Sequence, residues 1–245
     1  MRIFLSLLIF VISHFALVGC SHSVILPGSF QQRPEIGGRF LGGTATLGIQ
    51  RTIEVEIFDD ITANPPTRFT TNGIGLVEVL LPAIPSTSLN LGLTSFMDVY
   101  YTNALGARFQ ILGMSDQPGW KSTIFAGGLV NSGSETTNGA VIANTKINGS
   151  EYGLSIGYGF SKTDMIYITA GMQAGDAKTE IVQTTQAFNY DDTFEHSILT
   201  LGVSTGENFF INTELSVTKT KWKTKTEGSE TTDKTGGLVS LGFRW

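Results

Sequence analysis

A chain of 245 residues with 41% hydrophobic and 15% charged side chains is long enough for one barrel or sandwich domain, and its single cysteine excludes an intramolecular disulfide. A formal charge of −5 argues against nucleic acid as a partner. With 29 glycines, frequent aromatics and no long apolar run after residue 19, a membrane-spanning form has to be built from strands, because only helices and closed barrels satisfy every backbone polar group in lipid.

Met1 to Gly19 carries one positive charge, Arg2, ahead of an apolar run from Ile3 to Val18. The run is shorter than the roughly 20 residues of a spanning helix and ends in small residues, so 1–19 reads as a secretory signal peptide. Loss of Arg2 leaves 15 basic residues against 21 acidic ones, a formal −6. Leu17-Val18-Gly19-Cys20 resembles the lipobox of bacterial lipoproteins. The resemblance implies a mature chain that starts at an acylated, palmitate-bearing Cys20. Ser21, where aspartate marks inner-membrane retention, implies export to the outer membrane. An ordinary signal with a chance cysteine is the alternative.

Residues 20–37, rich in Ser, Pro, Gly and Gln, read as a periplasmic lipid-anchored tether, and 38–245 as the folded domain. Leu41 to Ile57 alternates apolar odd positions with Thr44, Thr46, Gln50, Glu54 and Glu56, as one long strand or two short ones. Asp59-Asp60 and Asn64-Pro65-Pro66 break it, since proline removes a ladder donor. Further strands are expected over Arg68–Leu81, closed by a turn at 82–87, then over Ser88–Tyr101, Gly106–Gly113 and Lys121–Val130. After a polar stretch, Tyr152–Phe160 and Met165–Val182 form a hairpin around Ser161–Asp164. Phe194–Ser204, Phe210–Lys225 and Gly236–Trp245 complete a set of ten, with eight or twelve as alternatives.

In the last ten residues Val239, Leu241, Phe243 and Trp245 share one face, and Leu238, Ser240, Gly242 and Arg244 the other. A terminal strand ending on an aromatic resembles the assembly signal of bacterial outer-membrane β-barrels, carried here by Phe243 and Trp245. The resemblance implies an all-β, transmembrane, antiparallel up-and-down barrel that meets the barrel-assembly machinery during biogenesis. Barrels of this kind pair short periplasmic turns with longer outer loops. With Trp245 on the periplasmic side, the connections at 82–87, 114–120, 161–164 and 205–208 fall inside. Those at 59–67, 131–150, 183–193 and 226–235 fall outside, with 102–105 the one short exception, and the amino terminus lands in the periplasm. The seventh and ninth strands exceed the roughly 9–11 residues needed to cross and are expected to project outward.

Parity separates the two faces. Glu54, Glu56, Glu78, Asp98, Arg108, His196, Glu214 and Arg244 oppose the apolar residues of their strands and form a candidate lumen network. It reads either as a charged constriction or binding site, or as the side-chain filling of a narrow barrel. Lys219, Lys221, Lys223 and Lys225 share the parity of Ile211, Leu215 and Val217, so they face outward above the apolar belt. Lipopolysaccharide phosphates would supply counter-charge there; the alternative is a lysine-protected strand extension in water. Phe209, Phe243, Trp245, Tyr100 and Tyr101 fit interfacial girdles.

No cofactor, Cys/His metal cluster or phosphate-cradling loop is read from the chain. His196 is the only histidine within the barrel, and a hydrolase would be built on it, with Asp59, Asp60, Asp191 and Asp192 as acidic neighbours. Omptin proteases share the strand number, but the histidine they carry two residues after an acid is replaced here by Phe194. The leading expectation is a non-enzymatic outer-membrane barrel lipoprotein in contact with membrane lipid and lipopolysaccharide, either a narrow, porin-like channel or an envelope and surface component. The barrel hydrolase on His196 and a soluble β-sandwich lipoprotein that binds a ligand are the alternatives.

Overall fold

The computed structural model describes residues 21–36, 40–68, 84–114, 117–130, 132–225 and 228–245. The signal segment with Cys20, Glu78 and nearly all of the strand expected over 68–81 lie outside them. The elements are all strands: β1 (His22–Leu26), β2 (Gly43–Arg51), β3 (Ile53–Asp60), β4 (Thr67–Arg68), β5 (Ile84–Gly92), β6 (Met97–Tyr101), β7 (Ala104–Leu112), β8 (Gly119–Leu129), β9 (Ser132–Asn138), β10 (Val141–Gly159), β11 (Met165–Val182), β12 (Ala187–Thr205), β13 (Phe209–Thr224) and β14 (Gly228–Arg244).

Sequential antiparallel pairing runs β10-β11-β12-β13-β14-β2-β5-β6-β7-β8 and returns to β10, closing a ring of ten. The seam between last and first strands is β14 on β2, from Gly237↔Arg51 to Arg244↔Thr44. β9 continues the line of β8 and pairs only with the upper part of β10, from Val141↔Asn138 to Ile147↔Ser132. The expected up-and-down barrel of ten strands is therefore present, and a two-sheet sandwich is not. Alternation drives it: along β13 the even residues Phe210 to Trp222 are buried and the odd ones from Phe209 to Lys219 are exposed.

Strand composition departs from expectation in several places, and the outer connections expected at 131–150, 183–193 and 226–235 are largely strand, taken up by β9 and the start of β10, by the start of β12 and by the first part of β14. Ser88–Tyr101 is not one strand but the hairpin β5–β6 around residues 93–96, where the Leu93 and Thr94 amides bond the Met97 carbonyl. The turn expected at 82–87 is thus at 93–96, and Pro85 sits within β5 opposite Ile49. Of the two readings of Leu41–Ile57, that of two short strands holds, with the split at Thr52: β2 belongs to the ring, whereas β3 leaves it to pair with β1 and β4 in a separate three-stranded sheet. The short turns 160–164 and 206–208, the end of β7 and the start of β8 lie at the Trp245 end, as the connection lengths predict. At 160–164 the Asp164 carboxylate accepts bonds from Thr205, Ser161 and Thr163, which hold its pKa below the ordinary range.

The wall is lopsided. β10 to β14 have 16 to 19 residues each, while β2 and β5 to β8 have 5 to 11, so one side stands taller. The small sheet leans on the inner face of that tall side. Val24, Leu26, Ile53, Val55, Ile57, Phe58 and Ile61 pack on Ala143, Ile147, Ala177, Ile181, Phe194 and Trp222 of the wall, all buried. Burial contributes roughly 1.5–3 kcal/mol per large side chain. β3 is not a ring strand, which corrects Glu54 and Glu56: from Ile53 to Ile57 the odd residues are the covered ones, so both glutamates are half-buried and face away from the apolar cluster.

The segment expected to be a periplasmic tether is folded instead. Its first part is β1, and Ser29 through Ile36 are all buried. Ser21 lies beside β1 at the tall end of the wall, opposite Trp245, not beside it. Below, Gly202 leaves room for the Tyr167 ring, since an added Cβ would sit 2.2 Å from it. Gly202→Val is therefore expected to lower stability by about 1–3 kcal/mol, the range for overpacking, read from urea unfolding of the detergent-refolded barrel.

Candidate functional site

Among the described residues, buried polar side chains concentrate in the interior of the ring. Among the sequence candidates, Asp98, Arg108, His196 and Glu214 are buried in the lumen, and Arg244 lies partly covered at its lower rim. They do not form a single network. Arg108 grips Asp98 through two parallel bonds, 2.8 Å from Nε and 2.5 Å from Nη2, across the β6–β7 pair. Glu214 is held by the Tyr167 hydroxyl at 2.7 Å and by Ser29. Glu151 lies elsewhere, accepting from Tyr100 at 3.0 Å and Gln173 at 2.7 Å. Tyr100 is thus an interior residue, not a girdle one. Tyr101, Phe209, Phe243 and Trp245 are exposed, and Phe243 packs at 5.0 Å on Phe209 and 6.2 Å on Trp245.

What joins these groups is residues 27–36, which descend through the middle of the ring. The Pro27 carbonyl accepts from His196 Nε2 at 2.8 Å, and the Gly28 carbonyl from Ser216. The Ser29 carbonyl accepts from Gln50 at 3.0 Å, and that of Gln32 from Thr169 at 2.7 Å and Ser155 at 3.3 Å. The Arg33 carbonyl takes bonds from Arg108 and Thr123, both 3.3 Å. Phe30 packs on Phe125, 5.5 Å between centroids, above Gly171, where a Cβ would come 2.7 Å from the Phe30 ring. Arg33 lies 4.1 Å over the Phe210 ring and bonds Ser204. At the lower rim Glu35 is clamped by Lys121 and by Arg244 at 2.9 Å.

Sequence parity missed this plug and several of its wall partners. Lys121 opens its strand on the lumen side of Ile124, so parity could have found it; Glu151 lies one residue before the expected strand start. Arg33 and Glu35 carry no periodic signal, because they sit in an irregular segment.

His196 is committed structurally: Nε2 donates to Pro27, and Nδ1 accepts from the Thr220 hydroxyl at 2.7 Å. Acids named with it are engaged elsewhere. Asp192 is bound bidentately by Arg68, 2.6 and 3.0 Å, and by Trp222 Nε1 at 2.9 Å. Asp191 pairs with Lys225 at 2.9 Å, and Asp60 accepts from Thr62. No acid–histidine pair forms among the described residues.

The lysine row does face outward, but its counter-charges come from the neighbouring strands. Lys223 pairs with Glu195 at 3.0 Å, Lys221 stands opposite Glu195, and Lys219 opposite Asp233. Lys223 and Lys225 hold Glu195 and Asp191 below their usual carboxylate range.

Two outcomes follow for the plug. Lys121→Met leaves Glu35 buried with half its clamp and is expected to cost about 3–5 kcal/mol, the range for breaking a buried pair; adding Glu35→Gln should restore most of it in a double-mutant cycle by chemical unfolding. His22, bonded to Thr136 and Thr145 at 2.8 Å each, has its pKa lowered to about 4 by burial. An unfolded histidine protonates near pH 6.5, so the folded chain binds fewer protons between about 6.5 and 4 and stability falls as pH drops through that window. The hydrogen-exchange protection factors of β1, taken against the intrinsic exchange rate at each pH, should fall there, and His22→Gln should flatten the dependence.

No protein-family model and no curated protein matches this chain. Among solved structures it is similar to Ail, the attachment invasion locus protein of Yersinia pestis, at 10% identity and a TM-score of 0.37, covering 84% of this chain and 99% of that one. The same protein in complex with the heparin analogue sucrose octasulfate gives 11% and 0.33, with the same coverage. The CymD monoaromatic hydrocarbon channel gives 11% and 0.29, covering 93% of this chain and 77% of that one. At these values the likeness adds nothing to the barrel that the strand pairing itself establishes.

Proposed function

We propose that the protein is a non-enzymatic bacterial outer-membrane β-barrel, an envelope or surface component whose lumen is closed by its own chain. The observation that carries this reading is the inversion of polarity across one closed ring. Leu47, Ile49, Leu199, Leu201, Leu215 and Leu241 are 49–69% exposed on the outside, while Thr46, Gln50, Thr200, Glu214 and Ser240 are buried within. Exposed leucines on that scale suit a lipid solvent. From Phe209 to Val217, at ~3.3 Å per residue and a tilt of about 40°, the belt rises roughly 20–25 Å, the height of an outer-membrane apolar band.

The short turns near Trp245 favour that end as periplasmic, with the tall wall outside. The lysine row then begins at Lys219, just above Val217, beside lipopolysaccharide headgroups, with Lys223 and Lys225 already paired within the chain. The terminal strand with Phe243 and Trp245 would be the segment met by the assembly machinery. The lipobox-like Leu17–Cys20 supports a lipoprotein. Against a hydrolase stand the two structural bonds of His196.

Single-channel recording of refolded protein in planar bilayers tests the closure, with heat-modifiable gel migration as the check of folding. The full chain is expected to insert and stay silent, and a variant lacking 22–36 to show discrete steps. Steady conductance from the full chain would sink the occluded-barrel reading.

A further inference from the structure

We propose that the chain threads its own barrel from the outer end, so that Ser21 and whatever precedes it are displayed on the outer face of the membrane. The proposal takes its sense of inside and outside from the outer-membrane reading above; the threading does not depend on it.

The order of contacts carries the argument. His22 bonds Thr136 and Thr145 near the tip of the tall wall, at the hairpin end of β9 and β10. Pro27 then meets His196, which sits opposite Thr220 on β13; Gly28 meets Ser216, Ser29 meets Glu214, and Arg33 meets Phe210. These wall residues run steadily down β13 from 220 to 210. The last step is Glu35 on Lys121 and Arg244, beside the final residue. A segment that dipped in from the periplasmic end and returned would touch the same levels twice. This one touches each level once.

Both ends are fixed by different means. Above, β1 is paired to β3 from Ser23↔Glu56 to Leu26↔Ile53, and its side chains enter the apolar cluster with the wall. Below, the clamp is ionic. An acyl group on Cys20 would adjoin Ser21 and so emerge at the outer end. Acyl chains seated in the periplasmic leaflet are incompatible with β1 paired to β3, because residues 27–36 already span the lumen between the two ends.

Site-directed labelling of intact and permeabilised cells with a membrane-impermeant maleimide tests this on three single variants of the full chain. Ile25→Cys reports β1, where Ile25 is 51% exposed; Thr184→Cys reports the connection at the tall end; Lys162→Cys reports a short turn at the Trp245 end. Each is checked for folding by heat-modifiable migration, and the parent chain is the blank. The expected result is that I25C and T184C label in intact cells to a similar extent, while K162C labels at least tenfold more after permeabilisation. Labelling of T184C in intact cells with I25C silent until permeabilisation would overturn the threading. If T184C and K162C exchange behaviour and I25C still follows T184C, the orientation has failed and outward display with it, but not the threading. Labelling of the parent would report a free Cys20 thiol and count against acylation alone.

Discussion

The structure depends on how ten strands fill the space they enclose. Side chains alone fill a ring of about eight strands, and two more widen the interior past what the wall can pack. Here the remainder is taken up by main chain. A segment without regular structure would bring unpaired carbonyls into a closed lumen, each costing roughly 1–3 kcal/mol if unmet. The wall meets them one by one: His196, Ser216, Gln50, Thr169 and Arg108 donate to the carbonyls of Pro27, Gly28, Ser29, Gln32 and Arg33. The polar character of the lumen is therefore a receptor for this chain's own backbone.

Charge follows the same logic. Within the lumen Asp98 is matched to Arg108, and Glu35 to Lys121 and Arg244, while Arg33 rests on an aromatic face. Buried ions left single would be far more costly than these pairs. The functional consequence is occlusion: a solute entering the lumen would have to replace bonds that already have partners.

The tall side of the wall has a separate role. Its inner face above the belt is apolar, which would be a liability in an open-mouthed barrel. The small sheet β1-β3-β4 covers it, and Arg68 seals the edge by stacking 4.5 Å over Phe58 and 4.6 Å over Tyr190 while holding Asp192. On the outer face, acids alternate with the lysines of β13, so the extension is close to self-neutral. Cap and plug are one continuous piece of chain, which couples the covering of the upper wall to the filling of the lumen.

Alternation of side chains along Phe210–Lys225 and Gly236–Trp245, and along the strands that carry Asp98, Arg108 and His196, was enough to read an all-β ring of about ten strands and the inward parity of Asp98, Arg108, His196, Glu214 and Arg244, because a strand's two faces are written in its period of two. The same rule misplaced Glu54 and Glu56, since after Thr52 the covered face is set by β1 and the tall wall rather than by the ring. It also ran the β5–β6 hairpin together as one strand, as residues 93–96 carry no proline or Asn-Gly signal. The path of 22–36 was decided only in three dimensions. An irregular segment has no period, and its partners Gln50, Lys121, Thr169, His196 and Ser216 lie on strands scattered along the chain, so nothing local says that its carbonyls will be satisfied inside a ring and not by water.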